Sequence, residues 1–279
     1  ATPRPAAQAP RLSRANRVRA ARAALTLFAL LSLGAWAAGR GVADALVLPT
    51  YSVLTSLVAV PVGLVVLLCL GTAATGRPRL HPSLLFVTGF VLLTGFGALQ
   101  AVIAGIVGVD GQAWTTGHLH TVAFGPPILL LAAGVYHWAP KLVGRELSAP
   151  LGRACFLALF GGFLLMGLGS YLLGYDGAPA RLGDFPFTGN GSTFGGLAAL
   201  GALLVVVGVL LLASEALRAG AALGLSRTAD DPYEGQTLEW ATSSPPPPHS
   251  FDTVPEVRSA TPLLDLRRAE APAGEAGRG

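Results

Sequence analysis

The sequence predicts an all-α protein: a polytopic membrane helix bundle with about six transmembrane helices and a polar C-terminal tail. Of its 279 residues, 52% are hydrophobic and only 12% are charged, and the mean hydropathy is +0.59. Soluble domains carry roughly 25% charged residues, so this chain lacks the polar surface of a soluble enzyme. The apolar residues fall into long runs without strand-like alternation, which favours membrane helices over a β-barrel.

Six apolar runs approach the length of about 20 residues that a helix needs to cross a bilayer. They are Ala23–Ala38, Val53–Ala74, Ser83–Val109, His118–Pro140, Ala154–Leu173 and Thr193–Ala213. We expect three parts: a basic arm over residues 1–22, a six-helix membrane domain over 23–218, and a polar, proline-rich tail over 219–279. The expected form of the tail is a flexible or a surface-draped segment.

The positive charges predict the orientation of the bundle. Six arginines precede the first run, and further basic residues lie in the second and fourth connections between runs. The positive-inside rule then places both termini on the cytoplasmic side of the membrane, which we expect to be a bacterial-type cell membrane. An alternative for the first run is a secretory signal peptide ending near Ala35-Trp36-Ala37, which would leave five spans.

Several function classes find no support in the sequence. The net charge is +4, and the excess basic residues lie beside the apolar runs, where they set the membrane topology. Nucleic acid is therefore not an expected partner. The sequence has no phosphate-binding glycine loop, catalytic triad or zinc-binding Cys/His cluster. Cys69 and Cys155 are expected to be small buried hydrophobes. Glu215, near a helix end, is expected to extend to the membrane interface.

The five histidines fall into two groups. His81 and His249 are expected to be solvated, and His137 to lie at the membrane interface beside Trp138. The remaining two, His118 and His120, lie within one predicted helix.

Residues two apart on a helix point about 200° apart, so His118 and His120 cannot easily bind one small ion together. They can reach separate partners on opposite faces, which suits two planar cofactors, and imidazole is a common axial ligand of haem iron. The alternative is a pair of interfacial histidines held in hydrogen bonds. The following Gly125-Pro126-Pro127 is expected to kink the helix.

Four stretches, in the same order along the chain, match a known family pattern. They are Ala59-Val60-Pro61-Val62-Gly63; the segment Gly117–His120, which holds both histidines, together with Tyr136–Arg145; Gly177–Pro186; and Thr237–Pro247. On these motifs the chain resembles haem–copper terminal oxidase (cytochrome c oxidase) subunit I. The resemblance covers the C-terminal half only, which is the last six of the twelve helices in that family.

The resemblance implies a set of haem-binding residues. His118 matches the axial ligand of the high-spin haem, His120 matches an axial ligand of the low-spin haem, and Arg181 matches a haem propionate partner. Ala180 stands where the family has a second arginine. The implied function is that of a split or truncated subunit I with two haems, in a complex that passes electrons to oxygen in aerobic respiration. The implied partners are the other oxidase subunits, a chain supplying the N-terminal half, the lipid bilayer and, indirectly, cytochrome c.

Departures from the family pattern limit what this chain can do alone. Trp36 and Ala37 fall near the family's His-His pair, so copper ligands are not expected here and copper would need a partner chain. Val62 and Val65 replace a threonine and the proton-channel lysine, and Asp110-Gly111 replaces a magnesium-binding His-Asp pair. We therefore expect no catalytic residue in this chain alone, and enzymatic activity only within a complex.

Two alternatives remain open from the sequence. One is a non-catalytic, oxidase-derived membrane haem protein or an assembly or structural subunit. The other is a six-helix transporter or scaffold unrelated to redox chemistry.

Overall fold

The structure of the chain is a computed structural model that describes residues 14–39, 44–75, 79–107, 109, 112–179, 190–221 and 228–270. These residues form helices and connecting loops, with no strand among them. The helices before the tail are α1 (Arg14–Gly39), α2 (Asp44–Thr75), α3 (Pro82–Val107), the short α4 (Gln112–His118), α5 (Gly125–Val143), α6 (Ala149–Tyr175) and α7 (Asn190–Ala221). A π-helical turn, Leu119–Phe124, joins α4 directly to α5, and the tail contains a 3-10 turn, Leu238–Ala241, and α8 (Pro262–Glu270).

The prediction of an all-α membrane bundle is confirmed. Within the described residues, four helical segments are long and apolar enough to cross a bilayer: Pro82–Ala104, Ala113–Val143, Ala149–Tyr175 and Asn190–Ala221. They correspond to the last four predicted runs. The first two runs lie within α1 and α2, and a shorter apolar stretch of α2 covers Leu57–Thr72.

Helix α6 lies between α4 and α7, and glycines on two of its faces let both neighbours approach closely. On one face, a Cβ atom on Gly174 would lie 2.5 Å from Cβ of Trp114 in α4. On the other face, a Cβ atom on Gly162 would lie 2.8 Å from the carbonyl oxygen of Gly201 in α7. Small residues at such contacts allow van der Waals packing that a larger side chain would prevent, which is how membrane helices associate.

A hydrophobic core joins α6 to α3 and α5. Its largest fully buried side chains come from all three helices and are Phe86, Leu93, Leu129, Tyr136 and Leu159. Cys155 belongs to this core, and its thiol donates to the carbonyl oxygen of Gly208 over 3.3 Å. The prediction of a buried cysteine is thus correct for Cys155, whereas Cys69 is exposed on α2.

Residues 228–245 of the tail pack against one end of the bundle, which we term the tail end, and α8 packs on this part of the tail. Trp240 is only 5% exposed and stacks on Trp138 of α5, with ring centroids 5.9 Å apart. The Lys141 ammonium donates to the carbonyl oxygen of Thr242 over 2.5 Å and to that of Ser243 over 3.3 Å. Of the two expected forms, the described part of the tail therefore has the surface-draped one.

Two histidines of the tail end lie under an aromatic side chain of the tail. Tyr233 stacks on His137 with centroids 5.1 Å apart and meets His81 edge-on at 5.3 Å. The prediction that His81 is solvated was wrong, because Tyr233 covers it; its ring nitrogen also lies 2.9 Å from the Ser83 hydroxyl. Burial lowers the pKa of His81, opposed by nearby Glu146, and burial raises the pKa of Tyr233 to about 12.

Glu215 was predicted to extend to the membrane interface, but its side chain is buried against the start of α6. It is 4% exposed and accepts a hydrogen bond of 2.8 Å from the backbone N–H of Ser148, the residue that caps the start of α6. Arg218 donates to the same carboxylate over 3.4 Å. The carboxylate therefore stabilises the start of α6, where backbone N–H groups lack helical partners.

The α6–α7 contact predicts an unequal response of two glycines in α7. Gly201→Ala places a Cβ atom 2.6 Å from the Gly162 carbonyl oxygen, whereas nothing lies within 4 Å of such an atom at Gly196. We expect Gly201→Ala to lower the free energy of unfolding by about 1–3 kcal/mol through overpacking. Gly196→Ala is the matched control, expected to be neutral or slightly stabilising. Thermal unfolding in detergent micelles measures both, and equal responses would contradict the packing.

The Lys141 contacts predict a loosening of the tail when the ammonium is removed. Lys141→Met leaves the carbonyl groups of Thr242 and Ser243 without this donor, at a cost of about 1–3 kcal/mol. We expect amide hydrogen exchange over residues 237–244 to become about tenfold faster or more, measured by mass spectrometry. Arg79→Gln is the control, because its ion pair with Glu234 is about 75% exposed on both sides and should contribute little.

Candidate functional site

The two histidines lie where α4 passes into α5. His118 ends α4, and His120 lies in the π-helical turn Leu119–Phe124, where the backbone N–H of Gly125 bonds to the His120 carbonyl oxygen five residues earlier. Pro126–Pro127 follows, and proline has no N–H and crowds the carbonyl four residues before it. The structure thus places a π-helical turn directly before the prolines where the sequence predicted a kink. Such turns are frequent at functional sites.

His118 faces α6 and has two ring neighbours. The Trp114 ring stacks on it with centroids 5.0 Å apart and planes inclined by 12°. The Tyr171 hydroxyl of α6 lies 3.4 Å from its Nδ1 atom. Tyr171 is fully buried, and its hydroxyl is 2.6 Å from that of Thr121. The His118 ring is therefore held between an indole and a phenol hydroxyl.

His120 has different surroundings from His118. The ring contact described for it is with Phe124, at 6.1 Å between centroids. Its Nδ1 atom is buried and has no hydrogen-bond partner in the described part of the chain. The structure thus brings the two histidines together on one helix but gives them separate neighbours, as the sequence predicted.

Two polar atoms at the site are buried and unpaired within the described chain. The indole N–H of Trp114 and Nδ1 of His120 are buried without a partner among the described residues. Unpaired buried polar groups are costly, and in native proteins they commonly mark a ligand or an ordered water. Neutral imidazole nitrogens together with an unpaired N–H donor are compatible with haem and its polar substituents.

The described residues do not fit copper. They contain no group of three His, Cys, Asp or Glu side chains that could hold a metal ion. Trp36 and Ala37 lie on α1, in a stretch whose side chains are not described. Arg181 and the Asp110-Gly111 pair lie outside the described residues, so their predicted roles stay predictions.

The two valines that the resemblance places where the family has a threonine and the proton-channel lysine line an apolar crevice. Val62 and Val65 of α2 face a space of about 160 Å³ between α1, α2 and α3. All its other lining side chains except Thr94 are hydrocarbon, and the Thr94 hydroxyl has no partner in the described chain. A crevice of this composition offers no continuous chain of hydrogen-bonding groups for protons.

Sequence reasoning missed three residues around His118. Trp114 and Thr121 precede and follow it by four and three residues, the spacing at which helical side chains meet, so this spacing could have identified them. Tyr171 is 53 residues away from His118. Only the packing of α4 on α6 through Gly117 brings it near, because a Cβ atom there would lie 3.0 Å from the Tyr171 backbone nitrogen.

The fold and the site define a polytopic α-helical membrane protein with paired histidines on one of its transmembrane helices. The chain belongs to the family described as Cytochrome C and Quinol oxidase polypeptide I, which matches residues 8–210.

Relatives from several bacteria carry names of the same kind. The chain is 33% identical over 259 residues to a probable cytochrome c oxidase subunit 1-beta of Nocardia farcinica, covering 88% of this chain and 44% of the relative. It is 34% identical to a putative cytochrome c oxidase subunit 1-beta of Streptomyces avermitilis, with the same coverage. It is 32% identical to cytochrome c oxidase subunit 1 of Corynebacterium diphtheriae, over 85% of this chain and 43% of the relative. The chain thus spans less than half the length of these relatives.

Proposed function

We propose that this chain is a haem-binding membrane component of a cytochrome c oxidase-type respiratory complex, equivalent to the C-terminal half of subunit I. Family membership supports an oxidase component, and the relatives are named as cytochrome c oxidase subunits. The haem-binding proposal rests on one observation. His118 and His120 lie on one helix with separate ring neighbours, and polar atoms at the site are buried without a hydrogen-bond partner among the described residues.

In this proposal, His118 would hold a high-spin haem and His120 a low-spin haem, and Arg181 would pair with a haem propionate. Bound haem supplies an iron that accepts and donates electrons. The protein contributes orientation: Trp114 and Tyr171 hold the His118 ring in place, and the close contact of α4 with α6 excludes water from that side.

Oxygen reduction would require further chains. Because the described residues lack a copper-binding group, copper is expected only with a partner that supplies the N-terminal half of subunit I. The proposed assembly contains that partner and other oxidase subunits, and it receives electrons from cytochrome c indirectly. This chain is then enzymatic only as part of the complex.

One observation favours a second candidate, a non-catalytic haem protein or structural subunit derived from the oxidase. The crevice at Val62 and Val65 is lined by hydrocarbon side chains apart from Thr94, and one hydroxyl does not make the chain of polar groups that a proton path needs. A haem protein that passes electrons without consuming protons does not need such a path. Copper analysis of the intact complex separates the two, because an oxidase requires copper and an electron carrier does not.

Haem spectra of histidine variants test the ligand assignment. We expect the purified full chain to bind two haems, and His118→Ala and His120→Ala each to lose one set of reduced absorbance bands. The reason is that each substitution removes one axial imidazole. His249→Ala, in an exposed part of the tail, is the matched control and should keep both sets of bands. A folded wild-type chain that binds no haem would refute the haem-binding proposal.

The orientation has its own test. We propose that both termini face the cytoplasm, because the arginine-rich arm and the segment around Arg79 carry the positive charge. Single cysteines at position 79 and at position 110, in a variant without Cys69 and Cys155, should differ in labelling of whole cells by a membrane-impermeant maleimide. Labelling at 110 and protection at 79 is the expected result, and the reverse pattern would overturn the orientation.

A further inference from the structure

A chain of hydrogen-bonding groups leads away from the His118 ring into the α4–α6 contact. The His118 Nδ1 atom is 3.4 Å from the Tyr171 hydroxyl, which is 2.6 Å from the Thr121 hydroxyl. The Thr121 hydroxyl in turn donates to the backbone carbonyl oxygen of Gly117 over 3.0 Å. The bonds of Thr121 with Gly117 and Tyr171 are buried and the contact with His118 is half-buried, and unpaired polar groups in such places are costly.

Counting protons along this chain fixes the direction of each bond. A carbonyl oxygen can only accept, and the Thr121 hydroxyl lies 3.0 Å from the carbonyl oxygen of Gly117 and 3.3 Å from that of His118, so its single proton is directed to these two acceptors. The Thr121 oxygen then accepts a hydrogen bond from Tyr171, and this bond uses the single hydroxyl proton of Tyr171. What remains on the Tyr171 oxygen is acceptor capacity, so Nδ1 of His118 must carry the hydrogen if the two are to attract each other.

The reverse arrangement makes fewer hydrogen bonds. If Tyr171 donated to His118, Thr121 would have to donate to Tyr171, and its oxygen would face the Gly117 carbonyl oxygen with no proton between them. The first arrangement makes three bonds and the reverse makes two. A hydrogen bond contributes about 0.5–1.5 kcal/mol net, and more is lost where acceptors are left facing each other in a buried place. The count therefore favours a hydrogen on Nδ1.

We infer that Tyr171 is a positioning residue that holds His118 in the tautomer with hydrogen on Nδ1, which leaves the lone pair of Nε2 free to bind a metal. A neutral imidazole carries one N–H, so fixing it on one nitrogen exposes the other as a ligand. That the metal is haem iron rests on the proposed function, whereas the tautomer does not.

The packing around Tyr171 and His118 keeps this arrangement in place. The stacked Trp114 ring covers one face of the imidazole and opposes its rotation. The Tyr171 ring is fully buried and is held edge-on by Phe96, with centroids 5.8 Å apart. Metal-bound histidines almost always donate their other ring N–H to an acceptor, which orients the ring and raises its basicity. The Tyr171 oxygen can act as that acceptor, because its own proton is donated to Thr121.

The first arm of the test measures the tautomer without haem. Nitrogen-15 NMR of the haem-free full chain in lipid bilayers, with labelled histidine, distinguishes the protonated from the bare ring nitrogen, and His118→Ala identifies the resonances of His118. We expect hydrogen on Nδ1 in the wild type and a mixture of tautomers in Tyr171→Phe. Thr121→Val removes the acceptor of the Tyr171 proton, so that Tyr171 can donate to His118, and we expect hydrogen to move to Nε2.

The second arm uses the haem-loaded chain. In Tyr171→Phe, the His118 ligand loses the acceptor of its N–H, so we expect haem affinity at this site to fall about 10- to 100-fold. The iron–histidine stretching band in the resonance Raman spectrum of the ferrous form should move to lower frequency, because the imidazole becomes less basic. Tyr175→Phe is the matched control: it lies one turn further along α6, its hydroxyl donates to Gln100 over 3.1 Å, and both readouts should stay unchanged.

The outcomes separate this inference from the proposed function. Hydrogen on Nε2 of wild-type His118 overturns the inference, and so does a Tyr171→Phe variant that matches the wild type in both arms. A wild type with hydrogen on Nδ1 that binds no haem supports the inference while it refutes the haem-binding proposal. Folding of each variant is checked by its thermal midpoint, and Thr121→Val gives an independent result if Tyr171→Phe does not fold.

Discussion

The close approach of α6 to its two neighbours is the constraint on which the rest of the bundle depends. Lipid provides no hydrophobic force that drives helices together, so association relies on how closely the backbones can pack. Gly174 and Gly162 remove side chains from two faces of α6 at the points where α4 and α7 lie against it. The contact with α4 decides which side chains meet at His118, since Tyr171 lies on the same face of α6 as the glycine contact.

The surroundings of His118 therefore follow from backbone packing more than from local sequence. A larger residue at Gly117 would push α4 away from the Tyr171 backbone and lengthen the contact of the phenol hydroxyl with the imidazole. At the same time, Pro126–Pro127 prevents a regular α-helix after the histidines, and the π-helical turn sets the direction of His120. The α4–α6 contact thus determines the surroundings of His118, and the π-helical turn determines those of His120.

The apolar runs and their charged boundaries were sufficient to predict the helical architecture. The last four runs correspond to the four segments that are long and apolar enough to span a bilayer in the described chain, because run length alone carries that information. The separate surroundings of His118 and His120 also follow from helical spacing. Contacts between distant segments could not be predicted in this way. Tyr233 covers His81, and Glu215 accepts a hydrogen bond from Ser148. In each case the partner is more than 60 residues away in the sequence.

The tail end and the histidines are connected through one helical segment. It begins at Gln112, carries His118 and His120, and ends at Val143 beside the Lys141 contact with the tail. At 1.5 Å per residue, roughly 35 Å of helix separates His118 from Lys141. The π-helical turn and Pro126–Pro127 lie between these two points, so the tail contact and the histidines occupy well-separated parts of one interrupted helical segment.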